Sequence, residues 1–362
     1  MKILYIGGES AKFVIHTCNS LCEAGNEVTA VVQEIDEYDK DNPVTLHKNL
    51  KRINMDYKSF FSPLNMKNGL IYEMSKNKPD FIMGSHAPLA PVLYELAKTY
   101  GIPWGIMILD IPTHTMRTER GRMKHWNYWF DFLKQADVIV FNNTIARDEF
   151  NRYTGNWFDD NYIIHYGTNM PEEEELSGAK IEGDYVLSLC RLHPIKNCKM
   201  IPQALGLLKK DLKYVAIGRD AGELELIKSI CKQNDIEFIY KGTVTEEEKW
   251  KLIRNCAMMI YPQDTEYIAG QAILEGMWAG KPVLAGNFDI LKELYGKHPF
   301  YFDTKSIEDL AKKIAYVRSI DKKLMEYPYK AASAHAMYKA SYKRMGEELS
   351  NLFKRYMKND KE

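Results

Sequence analysis

Apolar residues in this chain fall in short runs separated by amphipathic stretches. Residues 2–6 (KILYI) form one such run, and 13–24 follow at helical spacing up to Gly25. A second run occupies 27–32, and the alternation returns at 81–84, 89–100, 104–109 and 136–141. It restarts at Tyr185, with strand-like runs at 185–189, 213–217, 238–244, 258–261 and 283–285. Between them lie helical stretches at 224–234, 245–255 and 273–278, then 306–319 and 335–358. Continuous apolar runs alternating with helix-period segments predict strands buried on both faces of parallel sheets. Thr245-Glu246-Glu247-Glu248 reads as a capping box at a helix start. Residues 44–78 show no clear period, and Tyr327-Pro328 reads as a break before the last helix.

The 362 residues suggest two domains rather than one. The expected division is 1–170, joined by the last helix at 335–358, then a linker at 171–184, then 185–334. The linker contains Pro171 and the acidic run Glu172–Glu175. Lys plus Arg equals Asp plus Glu at 49 each, and the pI near 7.1 argues against a nucleic-acid binder. No apolar run reaches the ~18 residues of a membrane span, and the opening MKILYIGGES enters a strand rather than a signal peptide. Six cysteines without a CxxC pair fit a reducing cytoplasm. Cys18 and Cys22 would share a helix face, as metal ligands or as packing.

Residues 261–287 (YPQDTEYIAGQAILEGMWAGKPVLAGN) read as strand end, polar loop, helix and next strand. In open α/β sheets ligands bind where loops leave the carboxyl ends of strands. Free N–H groups at a helix start there suit a phosphate. Glu275, one turn into the helix, is by spacing alone either a solvated residue or a ligand for sugar hydroxyls. Arg191 and Lys196 leave the strand 185–189 as two cations suited to a departing diphosphate. Gly7-Gly8 follows the first strand but lacks GxGxxG, so a nicotinamide site is not indicated. His86, at a strand end, reads as a hydrogen-bonded structural residue unless a ligand reaches it, and His114, in a loop, as a surface residue or one that swings toward a ligand. Segment 117–134 is basic and aromatic; it would lie on anionic lipid, or pack through Trp126, Trp129, Phe130 and Leu133 at i, i+3, i+4, i+7.

The string ILEGMWAGKPVLAG resembles the nucleotide-sugar motif of GT-B glycosyltransferases, in particular the retaining family numbered four. The openings KILYIGGES and GNEVTAVV, and Arg191-x4-Lys196 about 80 residues before the glutamate motif, are similar to that family too. The resemblance implies two Rossmann-like doubly wound domains facing across a cleft, with the last helix crossing back to the first. It implies transfer of a sugar, with retention, from a UDP-, GDP- or ADP-type donor to a glycan, glycolipid or other hydroxyl acceptor, as in polysaccharide biosynthesis. Arg191 and Lys196 would neutralise the diphosphate, and Glu275 would hold the ribose. Gly218, Gly242, Thr243 and Val244 would lie by the base, and Ala269, Gly270 and Gln271 by phosphate or sugar. Gly7, Gly8, His16 and the 110–122 loop would face the acceptor. No metal and no cofactor beyond the donor is implied.

Two positions depart from the family pattern. Leu109 stands where many members have a histidine, with Asp110 beside it and His114 five residues on. Tyr267 stands where an acidic residue is usual, with Glu266 adjacent. Asp110, His114 and Glu266 are the candidates near the reacting sugar, and Tyr267 could itself contact the sugar with a different donor preference. The departures keep two further readings open: a nucleotide-sugar binder without transfer, and a sugar-nucleotide epimerase. Location in the cytoplasm is expected, at the inner membrane face if 117–134 meets lipid.

Overall fold

The near-continuous apolar runs form two separate parallel sheets, one in each unit of the chain. The computed structural model describes residues 1–8, 11–33, 43–109, 123–155, 161–168, 181–209, 212–264 and 270–358. One unit comprises Met1–Gly167 with Tyr342–Glu362, the other Thr168–Ser341.

The first unit carries β1 (Lys2–Gly7), β2 (Glu27–Gln33), β3 (Leu50–Met55), β4 (Phe81–Ser85), β5 (Trp104–Ile108), β6 (Val138–Phe141) and β7 (Asn161–Ile163). Their order is β3-β2-β1-β4-β5-β6-β7, all parallel. Ile3 of β1 aligns with Val28 on one side and Phe81 on the other. Both β4 and β5 are buried along their whole length, which is why they lack a polar alternation.

The second unit carries β8 (Tyr185–Leu189), β9 (Lys213–Ile217), β10 (Phe238–Gly242), β11 (Met258–Tyr261), β12 (Val283–Gly286) and β13 (Phe300–Phe302). Their order is β10-β9-β8-β11-β12-β13, again all parallel. Both sheets thus start in the middle, grow to one edge, return to the centre and grow to the other. Each has a point where the winding reverses, beside β1 and β4 in the first and beside β8 and β11 in the second. Crevices at the carboxyl ends of the strands form at such points.

The segment 44–78 contains β3 and the helices Tyr57–Phe60 and Pro63–Lys76. Asp56 and Ser62 cap these helices by accepting from backbone N–H groups within the first turn.

The single last helix expected over 335–358 is two helices. Lys322–Ala340 ends at Ser341, which is extended (φ −82°, ψ 147°), and Tyr342–Lys358 follows. The Thr168 N–H takes the Ala340 carbonyl at 2.7 Å, so that acceptor is withdrawn from the helical ladder. Pro328, expected at a boundary, lies inside the first of the two helices.

The helix Tyr342–Lys358 belongs to the first unit. It packs on Ala11–Glu23, burying Met345, Leu349, Leu352 and Phe353. Phe353 stacks on Phe81 of β4 at 4.5 Å between ring centroids. Each such side chain contributes about 1.5–3 kcal/mol when fully buried. At Gly346 a Cβ would lie 2.3 Å from the Ser20 carbonyl oxygen. The close approach of the two helices therefore depends on glycine there. Cys18 and Cys22 lie within this same packing. Burial pushes the Cys22 thiol up to about 11. The packing reading of that pair is the one observed.

Candidate nucleotide-binding site

Beyond β8 the chain continues parallel to the segment after β9 and is pinned there. The Cys190 N–H bonds Ile217 O at 3.0 Å, and Leu192 N–H bonds Arg219 O at 2.9 Å. Gly218 makes the approach feasible: its φ is +130°, and a Cβ would lie 2.1 Å from the Cys190 carbonyl oxygen. A short 3₁₀ turn, Pro194–Lys196, follows, with the His193 ring accepting from the Ile195 N–H at 3.2 Å. Asn197, left-handed at φ 52°, closes the turn. Its side chain donates to Thr304 O at 3.3 Å.

This turn sends Lys196 toward the end of β11. Its ammonium donates to Gln263 Oε1 and, at 3.3 Å, to the Tyr261 hydroxyl. The Tyr261 hydroxyl also donates to Gln263 Oε1, at 2.6 Å. An ammonium can only donate, so this arrangement fixes the Gln263 amide with its oxygen toward Lys196. Gln263 is 2% exposed, and its Nε2 is buried without a hydrogen-bond partner among the described residues. Burial, with the neighbouring Arg191 charge adding to it, lowers the Lys196 pKa against the opposing pull of Cys190. Arg191 itself is exposed, and among the described residues it makes no ion pair. Two cations thus stand at the winding reversal, neither in an ion pair among the described residues.

Gly270 precedes the helix Gln271–Trp278 with φ 62° and ψ 75°. A Cβ on it would meet the Tyr261 ring at 2.8 Å, and the Tyr295 hydroxyl holds its carbonyl at 3.1 Å. Gln271 is exposed at the helix start. One turn on, Glu275 is not a solvated surface residue. It bonds the Lys249 ammonium at 2.6 Å, with side-chain exposures of 13% and 11%. Lys249 also reaches Glu246 at 2.8 Å. Burial would lower the Lys249 pKa, but Glu275 and Glu246 outweigh it and hold the ammonium above its ordinary value. Gly242, with φ 62°, ends β10, and its carbonyl accepts from the Gly218 N–H at 2.8 Å. Thr243 is exposed and Val244 half-buried.

One cluster therefore gathers Lys196, Gln263 and Tyr261, and Gly270 meets its tyrosine. Glu275 with Lys249 forms a second group along the same helix, and Gly218 underlies the Arg191 loop. Sequence reasoning missed Gln263 and Lys249. Gln263 could have been found as a polar residue two positions beyond a buried strand. Lys249 carries no such signal, because its partner lies 26 positions away.

In the first unit, Gly7 and Gly8 stand at the carboxyl end of β1. A Cβ on Gly7 would lie 2.1 Å from a Val14 methyl, and one on Gly8 3.0 Å from the His86 Cβ. Packing thus excludes a side chain at Gly7 and leaves little room for one at Gly8. His86 has φ 89° and is held by its N–H to Met107 O at 3.0 Å. His16 is half-buried and stacks on Tyr342 at 4.9 Å. Leu109 packs against the first unit's core. The helix Met123–Leu133 turns Trp126, Phe130 and Leu133 inward, each under 5% exposed. Within the described residues 123–134, these three side chains of the stripe belong to the core, and Trp129 is half-buried. Asp110, His114, Arg117, Glu266, Tyr267 and Ala269 lie outside the described residues, as does most of the linker. Among the described residues, no helix is long and apolar enough to cross a membrane.

Residues 170–335 match the family described as glycosyl transferases group 1. The alpha-1,3/1,6-mannosyltransferase ALG2 of Dictyostelium discoideum is 31% identical over 155 residues, 36% of this chain and 37% of that protein. The serotype-specific mannosyltransferase WbdA of Escherichia coli is 24% identical over 225 residues, 56% of this chain and 26% of that one. The matched stretches therefore span well under half the length of these relatives. Among solved structures, sucrose-phosphate synthase from Thermosynechococcus elongatus has a TM-score of 0.79 at 13% identity, covering 99% of this chain and 100% of that one. Anabaena Alr3699/HepE, in complex with UDP and glucose, has 0.76 at 15% identity, covering 98% and 100%. The architecture is the GT-B one expected, with two Rossmann-like parallel-sheet units.

Proposed function

We propose, for a chain whose residues 170–335 are a glycosyl transferases group 1 segment, that it transfers a sugar from a nucleoside-diphosphate donor to a hydroxyl acceptor. The observation that carries this reading is the Lys196–Gln263–Tyr261 cluster with Arg191 nearby, at the winding reversal of the second sheet. When the bond between the anomeric carbon and the diphosphate oxygen breaks, negative charge grows on that oxygen. A desolvated ammonium, without a carboxylate partner among the described residues, is poised to meet it. Such fixed donors contribute about 10²–10³ in rate each. Arg191 adds a planar fork able to bind phosphate through two hydrogen bonds.

The donor's diphosphate would take Lys196 away from Gln263. The Gln263 Nε2, unpaired in the cluster, would then find an acceptor on the donor. Leaving such a group unsatisfied costs about 1–3 kcal/mol, so a donor that satisfies it gains specificity. Glu275, held in place by Lys249, would accept from the ribose hydroxyls. Backbone near Gly218, Gly242, Thr243 and Val244 would border the base. The N–H groups of Gly270 and Gln271 would face phosphate or sugar. Glu266, Tyr267, Ala269, Asp110 and His114 remain proposals for the sugar, and Gly7, Gly8 and His16 for the acceptor. No metal or further cofactor enters the scheme.

Two of the similar proteins are mannosyltransferases and another was solved with UDP and glucose. These support hexose donors and make UDP- and GDP-hexoses the first to try. The acceptor is proposed to be a glycan or a lipid-linked glycan. Contact with lipid through 117–134 would have to do without Trp126, Phe130 and Leu133, which are buried. Anionic liposomes that fail to sediment the chain at low salt would remove that contact altogether.

The deciding experiment measures nucleoside diphosphate released from UDP-, GDP- and ADP-hexoses, with and without extracted glycans. Acceptor-stimulated release from one donor, abolished by Arg191→Ala, is expected. A product in the donor's own anomeric configuration, read by NMR, supports retention. Binding of a donor with no release under any acceptor refutes transfer and leaves a nucleotide-sugar binder. Interconversion of donors without acceptor would point to an epimerase.

A further inference from the structure

The Arg191–Lys196 loop is bracketed by two cysteines. Cys190 precedes it and Cys198 follows it, and their sulfurs lie 3.3 Å apart. No use for this pair arises from binding a donor. We propose that Cys190 and Cys198 are a redox-active dithiol, closed to a disulfide by hydroperoxides, and that closure re-sets the loop between them.

Three observations support the assignment. First, the sulfurs already touch, so forming a bond of about 2.05 Å needs a displacement of little more than an ångström. Second, all six cysteines are unbridged, and Cys190 alone is not fully buried. Cys190 is therefore the more open member of the pair, and Cys198 the sheltered one. Third, the two differ chemically. A hydrogen bond from Cys198, reinforced by the Lys196 and Arg191 charges, lowers the Cys190 pKa despite its burial. That same bond, together with burial, raises Cys198 well above its ordinary range. Burial likewise pushes Cys22 up to about 11 and Cys231 and Cys256 up to about 12. The thiolate is the nucleophile, and reactive cysteines sit in electropositive, partly exposed places. Cys190 fits that description, and Cys198 fits a resolving partner.

The chemistry balances with a hydroperoxide as the oxidant. The Cys190 thiolate attacks the outer peroxide oxygen. The O–O bond breaks, an alcohol (or water) leaves with the former Cys190 proton, and a sulfenic acid remains. The Cys198 sulfur then attacks that sulfur. The S–S bond forms, the S–O bond breaks, and hydroxide leaves as water with the Cys198 proton. Two thiols and one hydroperoxide become one disulfide, one alcohol and one water.

Closure cannot be silent for the loop. Cys190 is held by backbone bonds to Ile217 and by the close Gly218, and Cys198 is 1% exposed in the second unit's core. The short turn between them must absorb the movement. That turn aims Lys196 at Gln263 and Tyr261.

The test uses the full chain, reduced and then exposed to hydrogen peroxide. Intact mass should fall by two hydrogen atoms, peptide mapping should link Cys190 to Cys198, and thiol should return with dithiothreitol. Cys190→Ser, at the partly exposed position, should abolish the loss. Hydrogen exchange of the peptide spanning 191–197 should change at least fivefold on oxidation, while that of the helix 307–319 stays unchanged. No mass loss, a link between other cysteines, or over-oxidation of Cys190 without closure overturns the dithiol. Closure without altered exchange overturns its action on the loop. Because Lys196 belongs to the proposed donor site, UDP should also bind at least tenfold more weakly to the oxidised chain. This last consequence rests on the proposed function. A chain that closes the disulfide but binds UDP in neither state faults that reading and not the thiol pair.

Discussion

Replacing Lys249 by methionine isolates the buried ion pair. The substitution keeps the length of the stem and its contact with Trp250, whose ring lies 5.0 Å from the ammonium. It removes the only cation within bonding distance of Glu275 among the described residues. The Glu275 side chain is 13% exposed, so water cannot fully replace the lost partner; Glu246, at 35%, can turn to solvent. Removing one member of a buried pair costs about 3–5 kcal/mol. The partial exposure of Glu246 places the expected loss at the lower end, about 3 kcal/mol. Urea unfolding followed by tryptophan fluorescence should show it as a lower midpoint with an unchanged slope. Lys249→Arg should recover most of the loss. Replacing both partners, Lys249→Met with Glu275→Leu, should recover part of it, since a buried apolar pair is often as stable as an ionic one. The sign with pH follows from the raised Lys249 pKa. Its contribution is fully present below the unfolded value near 10.4 and fades only as pH rises through the higher folded value. The difference between wild type and Lys249→Met should therefore be flat near neutrality and shrink only in strong alkali. A loss under ~1 kcal/mol, the range of exposed pairs, would refute the reasoning. So would a difference that vanished between pH 6 and 8.

Lys196→Met should cut diphosphate release by about 10²–10³ without lowering stability. Its ammonium is desolvated and its folded pKa lowered, so the charge is a burden below that pKa which lifts as pH rises toward 10.4. Wild type should gain on the variant across that window in thermal melts at increasing pH; a parallel pair of profiles would contradict the cause assigned. Gly346→Ala should destabilise the first unit by about 1–3 kcal/mol through overpacking against Ser20. Calorimetry that found its melting unchanged would show that the helices part freely.

The sheets were legible because their strands are buried on both faces. β4 and β5 read as unbroken apolar runs, and helices of period 3.6 separated them. The edge was not legible. β3 (LKRINM) is buried only at its two ends, so neither alternation nor a run marks it. The following helix buries Met66, Leu70 and Met74, but exposes Leu64, Ile71 and Tyr72, and the two sets together blur the period. The break at Ser341 depends on a bond from Thr168, far away in sequence. In the site, Arg191, Lys196 and Glu275 were named from one local loop and one local helix. Their partners Gln263, Tyr261 and Lys249 are set by how strands and helices pack. Gly7 and Gly8 could be seen in the sequence as glycines after a strand, but not that Val14 and His86 crowd the space a Cβ would take.

The helix Tyr342–Lys358 closes the core of a unit whose sheet is made from the first 163 residues. During synthesis, the 174 residues of Thr168–Ser341 must emerge before that helix does. At 5–20 residues per second this is roughly 10–35 s. Through that interval the helix Ala11–Glu23 and Phe81 lack the cover supplied by Met345, Leu349 and Phe353. The second unit is continuous and has no such wait. The first-made half of the protein is thus the last to be finished, and it is the half a ribosome-associated chaperone has most reason to shield.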